Sequence, residues 1–277
     1  THRPAGHDIA KGVSVKSMMC EMFGKAEGCC KGKGGAMHTG DISVGAMTAN
    51  AIVGGDLPIA AGAALAFKMQ KKPNVVVCFL GDGATNEGSY HETMNAVGLW
   101  KLPVIYVCEN NLFSANTSIK LTCCQENVAA GRAEVYGIPS EVVDGNDVMA
   151  VNEAATRAIA RARAGEGATI LELKTYRHGG HSRNDACGYR AKDEEKAWIQ
   201  DKDPVKMFRA RILDEGAATE DELQKMEADI EAEIDEATAW FERILQELSA
   251  YAGTIDVAFF PLDPRMGKNT DRGARRF

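Results

Sequence analysis

Apolar residues along this chain come in two rhythms. Short runs at Val75 to Leu80, Val104 to Cys108, Glu141 to Val143 and Thr169 to Lys174 have the length and composition of strands. Longer segments of helical composition lie beside them: Tyr90 to Trp100 between the first two runs, Val148 to Ala164 between the last two, and the alanine-rich stretch Leu57 to Met69 upstream. Pro58 falls in the first turn of that last helix, where its absent N–H is not missed. Strand, helix and strand in succession predict parallel pairing with a right-handed crossover. The whole pattern predicts an α/β fold, a doubly wound and mostly parallel sheet followed by C-terminal helices.

Beyond Asp203-Pro204 the composition turns helical and acidic. Thr219 and Glu222 fit a capping box, and Leu223, Met226, Ile230, Ile234, Phe241, Ile244 and Leu248 recur near one helical face. This stripe is expected to pack against the domain or a partner. The tail from Asp263, with Arg265, Lys268, Arg272, Arg275 and Arg276, is expected to be a solvated or partner-docking end. Residues 1–203 form one expected unit and 204–277 a helical extension and tail.

Composition narrows the function classes. A net charge of -7 and a pI near 5.5, with no basic face interleaved with aromatics, exclude a nucleic-acid binder. No apolar run reaches the roughly 18 residues of a membrane span, and no signal peptide opens the chain, so a cytoplasmic or organelle-matrix protein with no membrane partner is expected. The chain opens on Thr1 rather than methionine, and a leader segment upstream is expected. The eight cysteines include the vicinal pairs Cys29-Cys30 and Cys123-Cys124 but no C-x-x-C, which predicts reduced thiols.

The first strand run stops abruptly in "FLGDGATNEGSY", an aspartate between two glycines. In an open parallel sheet ligands bind beyond the carboxyl ends of the strands, and Asp82 is expected there. The next strand ends in "CENNLF", with Asn110-Asn111 separated from the first motif by a spacer of 26 residues, 84 to 109. Carboxylate and amide oxygens suit Mg²⁺, which often takes its remaining ligands from phosphate and water. Glycines let a phosphate approach the backbone, and the N–H groups opening the following helix favour an anion. A magnesium diphosphate is the natural guest. Gly-Asp-Gly by itself is usually just a turn; the twin asparagines reverse that reading. A nicotinamide site would need G-x-G-x-x-G, and "GDGATNEG" has the wrong glycine spacing.

G-D-G followed by N-N at this distance is the thiamine diphosphate motif. With "AKGVSV", "CKGKGGAMH", "ANAIVGGDLPIAAGAALA", "VDGNDVMAV" and "LELKTYRHGGHSRND", the chain resembles the α subunit of the heterotetrameric, thiamine diphosphate-dependent first component of 2-oxo acid dehydrogenases, the pyruvate and acetoin dehydrogenase family. The resemblance runs from Thr1 to about residue 215 and implies the thiamine diphosphate-binding fold.

That resemblance implies Mg²⁺ ligation by Asp82, the Asn111 side chain and the backbone carbonyl of Phe113, where the family has tyrosine. It places Gly81, Gly83 and Ala84 along the diphosphate and Arg3 as its guanidinium partner. His2 stands where tyrosine precedes that arginine. The backbone of Ala51 and Val53 would bond the aminopyrimidine, with the Val53 side chain supporting the bent cofactor. His38 and His181, each after a glycine-rich stretch, are the expected catalytic histidines, His181 also contacting the cofactor. His7, His91 and His178 are expected to be structural.

The implied activity is cleavage of a 2-oxo acid or acetoin and transfer of the acyl unit to a lipoyl domain of the acyltransferase component. The implied partner is a β subunit that supplies the activating glutamate in an α₂β₂ assembly. A split transketolase-like enzyme moving a two-carbon ketol unit is the alternative. Leu112 to Asn116 and "GHSRNDACGYR" depart from the family's usual sequences beside the acyl pocket, which leaves the substrate open.

Overall fold

A computed structural model describes residues 1–252 apart from 48 and 183, with the side chains of the last helix described as far as Trp240 and at Arg243. The expectations for Phe241, Ile244, Leu248 and the basic tail lie outside the described residues. Two short helices open the chain, α1 (Ala5–Lys11) and α2 (Val15–Met22). After a long glycine-rich stretch come α3 (Asp56–Met69), β1 (Val76–Gly81), α4 (Gly88–Trp100) and β2 (Val104–Asn110). A small antiparallel hairpin, β3 (Phe113–Ser114) and β4 (Thr117–Ser118), leads into the single turns α5 (Ile119–Thr122) and α6 (Ala130–Ala133). The chain returns to the sheet through β5 (Ser140–Asp144), α7 (Val148–Arg163) and β6 (Thr169–Lys174). It ends with α8 (Lys192–Asp201), α9 (Pro204–Asp214) and α10 (Glu220–Ala252).

The main sheet has the order β1-β2-β6-β5 with every neighbouring pair parallel. Its register decides where the chemistry sits. Gly81 pairs with Glu109, and Asn110 and Asp144 both pair with Lys174, so four carboxyl ends finish along one edge. The residues that follow, Asp82, Asn111 and Thr175, are thereby delivered side by side.

Side-chain alternation along β2 explains the two-sided wrapping. Val104, Tyr106 and Cys108 face the cluster built with Leu57, Ala60, Ala61 and Ala64 of α3 and Tyr90, Met94 and Val97 of α4. Ile105 and Val107 face the opposite cluster, where Ala154, Ala158 and Ala162, four apart on α7, let that helix lie close to the sheet. Helices therefore cover both faces, as the doubly wound reading requires. Each fully buried Leu, Ile or Val of this kind contributes about 1.5–3 kcal/mol. The buried tyrosines keep their hydroxyls bonded, Tyr106 to the Leu57 carbonyl at 3.0 Å and Tyr90 to the Ala129 carbonyl at 3.3 Å.

Strand β2 runs two residues beyond its expected end. The reason is Glu172 on neighbouring β6, fully buried, whose carboxylate accepts the Asn110 amide at 2.7 Å, so a polar residue can remain in the strand. The same carboxylate accepts the N–H groups of Val128, Ala129 and Ala130 and the Lys174 ammonium.

At the C-terminal end, Asp203 caps α9 through the N–H groups of Val205 and Lys206, with Pro204 in the first turn. Thr219 and Glu222 form the expected reciprocal box, Glu222 accepting from the Thr219 N–H at 2.7 Å and donating its own N–H to the Thr219 hydroxyl at 3.3 Å. Helix α10 returns to α2, where Ala237 is buried and the Lys16 ammonium lies 4.3 Å from the centre of the Trp240 ring. Upstream of that contact, Met226, Ile230 and Ile234 are exposed, so the domain does not cover this part of the stripe. The eight cysteines are thiols rather than disulfide partners. No helix among the described residues is long and apolar enough to cross a membrane.

Candidate active site

Strand β1 ends at Gly81, and Asp82 begins a tight 3-10 turn, Asp82–Asn86, held by the Thr85 hydroxyl donating to the Asp82 carbonyl at 2.8 Å. The Asp82 side chain is only 3% exposed. Burial pushes its carboxyl above the usual carboxylate range, while the Asn111 N–H and the Arg177 guanidinium pull the other way. Its Oδ2 is buried with no hydrogen-bond partner. A carboxylate oxygen removed from water and left without a donor is costly unless a cation meets it, so the donor set fits a metal ion.

The twin asparagines divide the work. Asn110 looks into the fold: its amide donates to Glu172, and its oxygen accepts the Leu112 N–H at 3.2 Å, closing a turn in which Leu112 takes the left-handed φ of 72°. Asn111 lines a cavity of about 540 Å³ beyond the strand ends, and its oxygen accepts the Phe113 N–H at 3.2 Å. Phe113 lines the same cavity. Its ring packs edge-on to Tyr176 with centroids 6.2 Å apart, and its carbonyl accepts from Arg177 at 3.4 Å.

The two glycines lack side chains for different reasons. A Cβ built on Gly81 meets nothing within 4 Å, so it would project into open space at the cavity wall. A Cβ on Gly83 would lie 2.1 Å from the Ser114 hydroxyl, so the hairpin itself requires glycine there. Ala84 also lines the cavity.

His2, Arg3, Val53 and His181 also line the cavity. Arg3 is carried there by α1, where His7 stacks on Phe79 with centroids 3.8 Å apart and its Nε2 lies 3.1 Å from a Glu109 oxygen. The Arg3 guanidinium donates to the His181 carbonyl at 3.0 Å and lies within 3.4 Å of both ring nitrogens. Burial, then the positive charges of Arg3 and Arg177, lowers the His181 pKa from its ordinary value, so the ring is neutral near pH 7 and free to accept a proton. Burial followed by the charge of Arg3 likewise lowers the His2 pKa.

The loop carrying His181 has its own clamp. Asp185 accepts the N–H groups of His181 at 2.7 Å and Cys187 at 2.9 Å and the Tyr189 hydroxyl at 2.7 Å; the Cys187 amide foremost lowers its pKa to about 2. Arg190, buried beneath, donates to the Arg177 and Gly179 carbonyls and pairs with Glu195.

Two expected site residues do not line the cavity. His38 ends the glycine-rich loop, its Nδ1 bonded to the Ala49 carbonyl at 2.8 Å, and the Ala51 backbone lies against the His2 ring. His91 is bonded to the Tyr136 hydroxyl at 2.6 Å, a structural role like that of His7. Arg177, Tyr176, Glu109 and Asp185 were not anticipated from the sequence. Arg177 immediately precedes the "HGGH" stretch that pointed to His181 and Asp185 follows that histidine by four residues, so proximity to the motif was their only signal.

Comparison with known proteins shows what the chain is similar to. The model of the family described as "Dehydrogenase E1 component" matches residues 1–246. The chain is 43% identical over 242 residues to the α subunit of acetoin:2,6-dichlorophenolindophenol oxidoreductase from Bacillus subtilis, covering 87% of this chain and 72% of the relative. It is 40% identical over 229 residues to the pyruvate dehydrogenase E1 component α subunit of Rhizobium meliloti, covering 83% and 66%. It is 36% identical over 267 residues to the somatic, mitochondrial form of the human pyruvate dehydrogenase E1 α subunit, covering 93% and 66%.

Proposed function

The chain belongs to the dehydrogenase E1 component family, and from that premise we propose that it is the α subunit of a thiamine diphosphate-dependent dehydrogenase that cleaves a 2-oxo acid or acetoin. The observation that carries the site assignment is the buried, unpartnered Oδ2 of Asp82 at the end of β1, beside Asn111 and within a cavity that also presents Arg3. Asp82, the Asn111 side chain and the Phe113 carbonyl would hold Mg²⁺. Gly81 leaves room for the diphosphate, Gly83 and Ala84 border it, and Arg3 offers it a guanidinium. Val53, with the neighbouring Ala51 backbone, would meet the aminopyrimidine.

When bound, thiamine diphosphate supplies the carbanion that attacks the substrate carbonyl. The chain's own contribution is to bind, orient and move protons. His181, kept neutral by burial and by Arg3, would exchange a proton with the substrate oxygen. His38 would serve the later transfer of the acyl unit to a lipoyl group. The glutamate that activates the aminopyrimidine would come from a β subunit. Of the three carboxylates lining the cavity, Asp82 is assigned to the metal, Glu109 is paired with His7, and Asp56, which opens α3, accepts the Cys78 thiol at 3.7 Å. We place the assembly in the cytoplasm or an organelle matrix.

Asp82→Ala in the assembled α/β enzyme tests the site. Calorimetric titration should show Mg²⁺-dependent thiamine diphosphate binding lost, because the change removes the one carboxylate assigned to the ion. Unchanged affinity would remove Asp82 from the metal site.

A further inference from the structure

Away from the cavity, one ionisable group is more completely enclosed than its sequence context suggests. Glu21, near the end of α2, is 0% exposed. Its Oε2 accepts the N–H groups of Cys30 and Gly32, both at 2.8 Å, and its Oε1 accepts those of Gly34 at 2.6 Å and Gly35 at 3.1 Å. Burial alone would push this carboxyl up, and the four amides outweigh burial and hold it below the usual carboxylate range.

The loop is shaped around the carboxylate. Lys31, Gly32 and Gly35 take left-handed φ values of 59°, 72° and 63°, which turns successive amides inward to form an anion nest. A Cβ on Gly28 would lie 2.4 Å from Glu21 Oε2, and one on Gly34 would lie 2.4 Å from the His38 carbonyl. Cys29 and Cys30 bring their sulfurs near Glu21, which resembles a metal-ligand group. Each Glu21 oxygen already accepts two amides, however, and the Cys30 thiol donates to the His38 carbonyl at 3.0 Å. The cluster ties the loop closed.

At the far end of the clasped loop stands His38. A carbonyl only accepts, so the bond from His38 to Ala49 fixes the proton on Nδ1 and leaves Nε2 as the nitrogen through which the ring exchanges a proton. Ala49 in turn begins the segment that leads to Val53 at the cavity.

We propose that Glu21 is a positioning residue for acyl transfer, acting as the internal anion around which residues 28–38 fold and through which His38 is held for the lipoyl acceptor. This rests on the reading of His38 as a group serving that acceptor. In the step concerned, the dithiolane S–S bond breaks and one sulfur bonds the acyl carbon. The acyl donor supplies the electron pair that forms the carbon–sulfur bond, its hydroxyl gives up a proton to become the thioester carbonyl, the bond from the acyl carbon to its carrier breaks with the pair staying on the carrier, and the other sulfur takes a proton and leaves as a thiol. Glu21 does not touch the reacting atoms. Its effect is confined to the half-reaction that uses the loop.

The test uses the assembled α/β enzyme with two acceptors, a lipoyl domain and the artificial dye dichlorophenolindophenol. Glu21→Gln sets an NH₂ donor against two backbone donors and should open the nest. Expected is a fall of about tenfold or more in kcat/KM for the lipoyl domain, as misplacement of a loop group produces, with the dye-linked rate within about twofold of wild type. The double variant with His38→Ala should be no worse than His38→Ala alone. Hydrogen exchange at residues 30–35 should lose protection in Glu21→Gln, a readout independent of turnover. Gly35→Ala, strained by its positive φ but without a steric clash, should give the same acceptor-selective defect in smaller measure.

Equal losses with both acceptors would reduce Glu21 to a folding role and overturn the proposal. A lipoyl defect in His38→Ala without one in Glu21→Gln would overturn it while leaving the His38 reading intact. No defect in His38→Ala would remove that reading, and the proposal with it.

Discussion

Replacing Gly83 by alanine places a methyl group where the hairpin already stands. The new Cβ would lie 2.1 Å from Ser114 Oγ, 2.9 Å from Ser114 Cβ and 3.7 Å from Ser114 Cα. Rotating the serine removes the first contact but not the second, because both Cβ positions are fixed by backbone. Restoring an ordinary carbon–carbon separation of about 3.5–4.0 Å therefore requires β3 itself to shift by more than half an ångström. Overpacking of this kind costs about 1–3 kcal/mol. At about 2 kcal/mol, and about 2–4 °C per kcal/mol for a domain of this size, the apparent melting midpoint should fall by ~4–8 °C. The shift also carries the Phe113 carbonyl away from Asp82, so Mg²⁺-dependent cofactor affinity should fall as well.

Ser114→Gly removes both offending atoms and leaves only the 3.7 Å contact. Alone it should cost about 0.5–1 kcal/mol, the usual price of glycine in a strand. Combined with Gly83→Ala it should recover most of the loss, giving a coupling of about 1–2 kcal/mol in a double-mutant cycle read by thermal melting and calorimetry. Strictly additive losses would show that the hairpin does not press on Gly83, and the account of that glycine would fail.

Gly81→Ala projects into open cavity, so the cofactor-free protein should melt within about 0.5 kcal/mol of wild type while cofactor affinity drops about tenfold or more, by equilibrium titration; a destabilised apoprotein with normal affinity would reverse the assignment. Arg3→Met removes one of the positive charges that depress the His181 pKa, so the acidic limb of kcat/KM should move to higher pH, and an unmoved limb would mean that His181 does not titrate there. Glu172→Gln breaks a buried carboxylate network and should destabilise the fold by about 1.5–3 kcal/mol or more at neutral pH. Despite burial, Lys174 and the surrounding amides lower the Glu172 pKa, so its contribution is present above the ordinary carboxylate range and is lost as pH falls through the depressed value. The difference between wild type and Glu172→Gln should shrink there, and a difference independent of pH would contradict the network.

The sheet was legible because its strands are bounded by local signals. The ends of the runs at Val75 and Thr169 fall within one residue of the observed strands, since β-branched runs bordered by turn residues carry strand geometry in themselves. Asp82 and Asn111 were legible for a related reason: a parallel sheet delivers its carboxyl ends to one edge. What escaped the sequence depends on contacts between distant segments. Asn110 looks like a second ligand until Glu172, 62 residues away, claims its amide. Glu21 is one acidic residue among 39 until the loop folds over it. Arg177, Asp185 and Arg190 build the loop that holds His181, and no periodicity or spacing marks such a network.

The central claim is that this chain provides half of a shared active site. The most direct test is turnover of pyruvate and acetoin, with Mg²⁺ and thiamine diphosphate present, by the purified chain alone and again with its β subunit and a lipoyl domain. The account predicts no product from the chain alone and acylation of the lipoyl domain by the assembled pair. Substrate cleavage by the chain alone would contradict it.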